Sequence, residues 1–144
     1  MKNSDTISMK IPKPILILKE SLNEAEEFCR DFHQRSDRKD KPLIMINCSA
    51  LSGILLESEI FGHEKGSFKN AYHKKIGLIE VANGGILLLY ESNQLAPDLQ
   101  EKLLNFLKNG YFFRIGGKEK IHSNLQLICS SKQSNKLFFE INKI

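Results

Sequence analysis

The chain has 144 residues, 41% of them hydrophobic and 26% charged, with a formal net charge of +4. That is the length and make-up of one folded unit able to bury roughly 70% of its unfolded surface, which excludes a disordered or fibrous chain. A charge of +4 from 21 basic and 17 acidic side chains is too small to argue by itself for a nucleic-acid partner.

Three cysteines, Cys29, Cys48 and Cys129, form an odd number without Cys-x-x-Cys spacing and read as reduced thiols in apolar elements. His33, His63, His73 and His122 are scattered without metal-ligand spacing, so no metal site is expected, and surface or capping roles are. No apolar run has signal-peptide character or approaches the roughly 18 residues of a membrane span. A cytoplasmic protein with no membrane contact is the expectation.

Residues 1–13 read as a polar lead-in to a folded unit over 14–144. Pro14 to Leu18 is a short apolar run with the pattern of a parallel strand buried on both faces. A helix is predicted from Leu22 to Gln34, with Ala25, Phe28, Cys29 and Phe32 along its apolar stripe. Leu43 to Asn47 repeats the buried-strand pattern, and Gly53 to Ile60 reads as a short helix carrying Leu55, Leu56 and Ile60. Ile76 to Ala82 reads as a further turn or two of helix, closed by Asn83-Gly84-Gly85.

Ile86 to Tyr90 is the third predicted strand. A helix over Ala96 to Lys108 follows, with Pro97 in its first turn and Gly110 at its C-terminal cap. Tyr111 to Ile115 and Glu119 to His122 flank Gly116-Gly117 as a hairpin. Leu125 to Cys129 is the last strand, and Leu137 to Ile144 begins a helix. Strands alternating with helices predict a three-layer α/β/α fold with a mainly parallel sheet.

Between Phe61 and Ala71 lies a polar, glycine-bearing stretch, Phe-Gly-His-Glu-Lys-Gly-Ser-Phe-Lys-Asn-Ala, that holds Phe68 outside any helical or strand period. Such a ring is a loop anchor or a partner contact.

Several blocks now converge. Ile46 to Leu51, Glu57 to Gly66, Gly77 to Gly85, Leu99 to Leu104 and Phe113 to Gly117, in this order and spacing, resemble the AAA+ domain of bacterial sigma-54-dependent transcription activators, the sigma-54 interaction domain. The resemblance runs from Pro14 to Ile144 and implies a P-loop NTPase-like core that lacks the family's helical lid. It also implies contact with sigma-54 through a loop, here Gly66, Ser67, Phe68, Lys69, Asn70 and Ala71, where the family has Gly-Ala-Phe-Thr-Gly-Ala. Phe68 sits at the family's aromatic position and is expected to be exposed or mobile at the tip of a protruding loop. Asn70, replacing the second glycine, is a residue that tolerates a left-handed backbone.

The family uses ATP and Mg²⁺, and its phosphate cradle needs a glycine-rich turn, a lysine and an open helix N-terminus. The degenerate nucleotide-site positions are Lys19, Glu20, Ser21, Leu22, Asn23, Glu24, Ala25 and Glu26, with Tyr90 and Glu91 at the end of the third strand. The glycines have become Lys19, Leu22 and Glu24, and the lysine has become Ala25. Ser21 and Glu24 form a capping-box pattern, expected to close that helix end. Tyr90 replaces the aspartate that arranges Mg²⁺, and Glu91 keeps the base position in vestigial form. Lys132 stands at the sensor position and Glu140 at the arginine that reaches a neighbour's nucleotide.

The reading is therefore a transcription regulator acting through sigma-54 or homologous activator subunits. No ATP hydrolysis, no bound cofactor and no direct DNA contact are expected, while oligomerisation stays open. The response-regulator-like association of the family is expected without a receiver module before the domain or a helix-turn-helix after it. A weak or trans-completed ATPase, and a remnant without function, are the alternatives.

Overall fold

The computed structural model describes residues 11–18 and 21–144. Four parallel strands make the central sheet: β1 (Ile15–Leu18), β2 (Leu43–Asn47), β5 (Ile86–Tyr90) and β8 (Gln126–Ser131), in the order β1-β8-β5-β2. Short pairs β3 (Gly62–His63) with β4 (Lys75–Ile76) and β6 (Tyr111–Phe112) with β7 (Ile121–His122) are antiparallel. The helices are α1 (Leu22–Arg35), α2 (Gly53–Phe61), α3 (Leu78–Val81), α4 (Pro97–Asn109) and α5 (Lys136–Asn142).

Alternate residues of β5 explain the layers. Ile86, Leu88 and Tyr90 face α1, where they pack with Ala25 and Cys29. Leu87 and Leu89 face the opposite side and join Leu56, Ile60, Phe61, Leu103 and Phe106 of α2 and α4. Because side chains alternate along a strand, a strand covered by helices on both faces must be apolar at every position, as Ile-Leu-Leu-Leu-Tyr is. The three-layer fold follows.

β5 and β8 are buried at every position, whereas the full burial expected of the first two strands fails. β1 and β2 are the outer strands of the described sheet and are only half-buried, with Leu18 exposed. An apolar run records that both faces are covered but not whether a neighbour lies beyond. Leu55 is likewise exposed, since α2 turns only Leu56 and Ile60 inward from that group. The predicted helical turn from Ile76 is shorter than expected, at 78–81, because Lys75 and Ile76 are drawn into pairing with β3.

α1 begins where a serine can cap it: the Ser21 hydroxyl accepts the Glu24 N–H at 3.1 Å. α4 opens with Pro97 and stops at Gly110, whose φ of 80° allows the left-handed turn into β6. All three cysteines are free and buried.

Candidate functional site: a pair of zipped loops and a capped helix end

The stretch 64–71 is a closed loop. The Gly66 N–H donates to the Ala71 carbonyl at 2.7 Å, and the Ala71 N–H donates to the Phe68 carbonyl at 3.0 Å. Asn70 adopts φ 72°, the left-handed turn its side chain tolerates.

This loop does not stand alone. The Glu64 N–H donates to the Ile115 carbonyl and the Ile115 N–H to the Gly62 carbonyl, each at 3.0 Å. The loop is thus zipped to the turn between β6 and β7. That pairing explains why the hairpin strands are shorter than predicted: Ile115 spends its backbone groups on residues 62–64 instead of on β7. Gly116 is required at the contact, since its φ is 73° and a Cβ there would collide with the Ser67 side chain.

Arg114 locks the same junction with charge. Its Nε and Nη2 donate to Glu80 Oε2 and Oε1 at 2.8 and 2.9 Å, and its Nη1 donates to Glu64 Oε2 at 2.9 Å. The paired carboxylates, Glu80 first, hold the guanidinium above its ordinary value against the opposing effect of burial.

Phe68 departs from its expected place. It is half-buried, with its ring edge-on to His63 at 4.9 Å between centroids. His63 is buried, not at the surface as its sequence context suggested, because both nitrogens are satisfied. Nε2 meets the His73 carbonyl at 2.8 Å and must donate, which leaves Nδ1 to accept the Ser58 hydroxyl at 2.6 Å. The outward ring is Tyr72, 69% exposed.

The second cluster lies at the C-terminal ends of the strands. α1 starts at Leu22, so the positions that the resemblance aligned with the phosphate loop include its first turn, and the Ala25 N–H donates to the Ser21 carbonyl at 3.2 Å. Ala25 is fully buried against β5, Leu22 packs on the same face, and Glu26 turns to Arg30 at 3.4 Å. Asn23 and Glu24 are exposed. Lys19 and Glu20 lie outside the described residues.

Tyr90 is buried at the end of β5 and Glu91 follows in a left-handed conformation, φ 58°. Glu91 lies 4.0 Å from Lys132. Its carboxylate, after the larger effect of burial, helps push the Cys48 thiol up to about 12. Glu140 pairs with Lys143 at 3.8 Å on its own helix. Among the described residues no group of His, Cys, Asp or Glu is placed to hold a metal ion.

The sequence had signalled the loop, Ser21, Tyr90 and Glu91. The Arg114 network and the His63 clamp are not legible in the sequence, although all three of the network's residues lie inside motif blocks: Arg114 meets Glu80 and Glu64 across 34 and 50 positions, and only the fold joins them.

A parallel three-layer sheet, with helix and loop sites at its strand ends, defines an AAA+-like α/β domain. The sigma-54 interaction domain matches residues 2–143, and the chain belongs to that family. It is 42% identical over 120 residues to the Nif-specific regulatory protein of Rhizobium leguminosarum bv. trifolii, covering 83% of this chain and 34% of that protein. The corresponding protein of Azospirillum brasilense is 44% identical over 117 residues, or 81% of this chain and 19% of its own length. The crystal structure of NtrX from Brucella abortus superposes with a TM-score of 0.79 at 25% identity, over 99% of this chain and 34% of that one. The same protein in complex with ADP gives 0.75 at 27% identity, over 92% and 28%. The chain thus spans about a third or less of the relatives it matches. No helix among the described residues is long and apolar enough to cross a membrane.

Proposed function

We propose that this domain regulates transcription by docking on sigma-54, or on homologous activator subunits, through the 66–71 loop, and that it does so without hydrolysing ATP. The observation that carries the reading is the contrast between the two clusters. The loop is closed, zipped to its neighbouring turn and braced by Arg114, whereas the helix end that would receive phosphate is taken up by its own serine.

ATP and Mg²⁺ do not fit the residues present. The Glu24 N–H is already bonded to Ser21, and the lysine position is a buried alanine. Tyr90 offers no charged oxygen to a magnesium ion, and the Glu91 carboxylate lies 4.0 Å from the Lys132 ammonium. Exposed Glu24 and Glu27 add like charge where a polyphosphate would approach. No catalytic step is therefore derived through nucleotide.

The nucleotide complexes of NtrX favour a second reading, in which this chain binds ATP weakly or with groups from a neighbouring subunit. The substitutions at 22, 24, 25 and 90 weigh against it.

Capture of sigma-54 on immobilised protein tests the proposal. Wild type is expected to retain it and Phe68→Ala to lose most of it. Equal capture by both removes the loop from the account, and no capture by wild type overturns it.

A further inference from the structure

The positive charge of the molecule is concentrated on the zipped loops. Residues 62–76 hold four lysines against one glutamate, and residues 111–122 hold two lysines and an arginine against one glutamate. Their net +5 exceeds the +4 of the whole chain.

Internal partners account for only part of this charge. Arg114 is held by Glu80 and Glu64, Lys75 by Glu59 at 3.4 Å, and Lys120 lies over the Tyr111 ring at 4.6 Å. Among the described residues, Lys65, Lys69, Lys74 and Lys118 are exposed and pair with no carboxylate. The backbone bonds of residues 62–64 to Ile115 set the loops that carry these lysines side by side.

The same loops hold an aromatic group fixed in place. The Tyr72 hydroxyl donates to Asn70 Oδ1 at 2.9 Å, which ties the exposed ring to the left-handed residue of the loop. Tyr72 borders an open hollow of about 260 Å³ shared with His63, Asn70, His73, Lys74 and Lys75. Ile76, 44% exposed, follows directly in the chain.

We infer that Tyr72 and the lysines at 65, 69, 74 and 118 form a docking surface for an acidic peptide segment that carries at least one apolar side chain. This deepens the proposed sigma-54 contact and rests on it for the identity of the partner. Charge complementarity selects an anionic ligand. The single fixed ring then favours a peptide side chain over single-stranded nucleic acid, which is bound by successive stacking rings along a groove. Phe113, the other exposed ring of the pair of loops, is turned edge-on to Tyr111 at 6.0 Å.

The test uses three fluorescein-labelled probes of equal length: a peptide alternating Glu and Leu, a polyglutamate, and an oligothymidylate. Anisotropy should show the Glu-Leu peptide binding best, with affinity falling as salt shortens the reach of the charges. Tyr72→Ala, and separately the fourfold change of Lys65, Lys69, Lys74 and Lys118 to Gln, should each weaken it about tenfold while leaving the thermal midpoint in place. Unchanged affinity in either variant overturns the inference, as does an oligothymidylate that binds as tightly as the peptide. Sigma-54 captured equally by wild type and both variants sinks this inference but spares the loop reading. Peptide binding with the stated losses, but without sigma-54 capture by wild type, sustains the surface and sinks that reading.

Discussion

Phe68 rests edge-on against His63, and His63 is fixed at one nitrogen by Ser58 and at the other by the His73 carbonyl. The aromatic side chain expected to reach a partner is therefore held against the base of its own loop by a residue that has no freedom to turn. For Phe68 to reach a partner, it must leave this edge-to-face contact, which is worth about 0.5–1.5 kcal/mol beyond its area. That is small enough for a binding partner to overcome.

Removing the clamp should loosen the loop. His63→Ala takes away the ring beneath Phe68 and leaves Ser58 and the His73 carbonyl without their partner. Limited trypsin digestion is expected to cut after Lys65, Lys69 or Lys74 several-fold faster in the variant than in wild type. Identical cleavage rates would mean that His63 does not hold the loop.

Arg114 should matter more than an exposed ion pair does. Its side chain is 10% exposed and Glu80's is 15%, so Arg114→Ala strands a shielded carboxylate and separates the two loops. A loss of about 2–4 kcal/mol is expected in denaturant titration, with Arg114→Lys recovering little because a lysine cannot make the bidentate bond. A loss below about 1 kcal/mol would place the network among ordinary surface pairs.

Ser67 offers a change in the opposite direction. Its hydroxyl oxygen is buried at the contact with Gly116 and has no hydrogen-bond partner among the described residues. Ser67→Ala, the residue that the family's loop pattern places there, should leave stability unchanged or raise it by about 1 kcal/mol. A clear fall in the thermal midpoint would contradict this.

The buried thiols set an alkaline limit. Burial raises Cys29 and Cys48 from 9.0 to about 12, so both stay protonated in the fold while the unfolded chain ionises near 9.0. Unfolding thus releases protons above that pH: the contribution to stability is complete below about 9 and is lost as pH rises towards 12. Equilibrium unfolding followed from pH 7 to 11 should reveal this decline, and Cys29→Ala should flatten part of it. A stability that rises with pH over that interval would refute the burial-based account. A thiol reagent at pH 8 should label the native protein slowly and the unfolded protein at once.

The layers of the fold were legible because period and length agree: Ile86 to Tyr90 is apolar at every position, and α4 carries Leu99, Leu103 and Leu107 between a proline and a glycine. The positions of β1 and β2 at the edge were not, because an edge is a property of neighbours rather than of the strand. In the site, the capping serine was readable from Ser21 and Glu24 three residues apart. The folding back of Phe68 is legible only as one of two possibilities, since the choice depends on His63 being oriented by Ser58 and His73 through contacts five and ten residues away. Asn70 shows the intermediate case: its residue type permits φ 72°, and the closing bond from Gly66 to Ala71 imposes it.

The central claim is that the partner loop persists while the nucleotide end of the fold is closed by Ser21 and stripped of its lysine and aspartate. Calorimetric titration of the protein with Mg-ATP tests it most directly. The account predicts no saturable heat at micromolar nucleotide, in a sample whose thermal midpoint is also unmoved by ATP. Saturable binding in the micromolar range would contradict it.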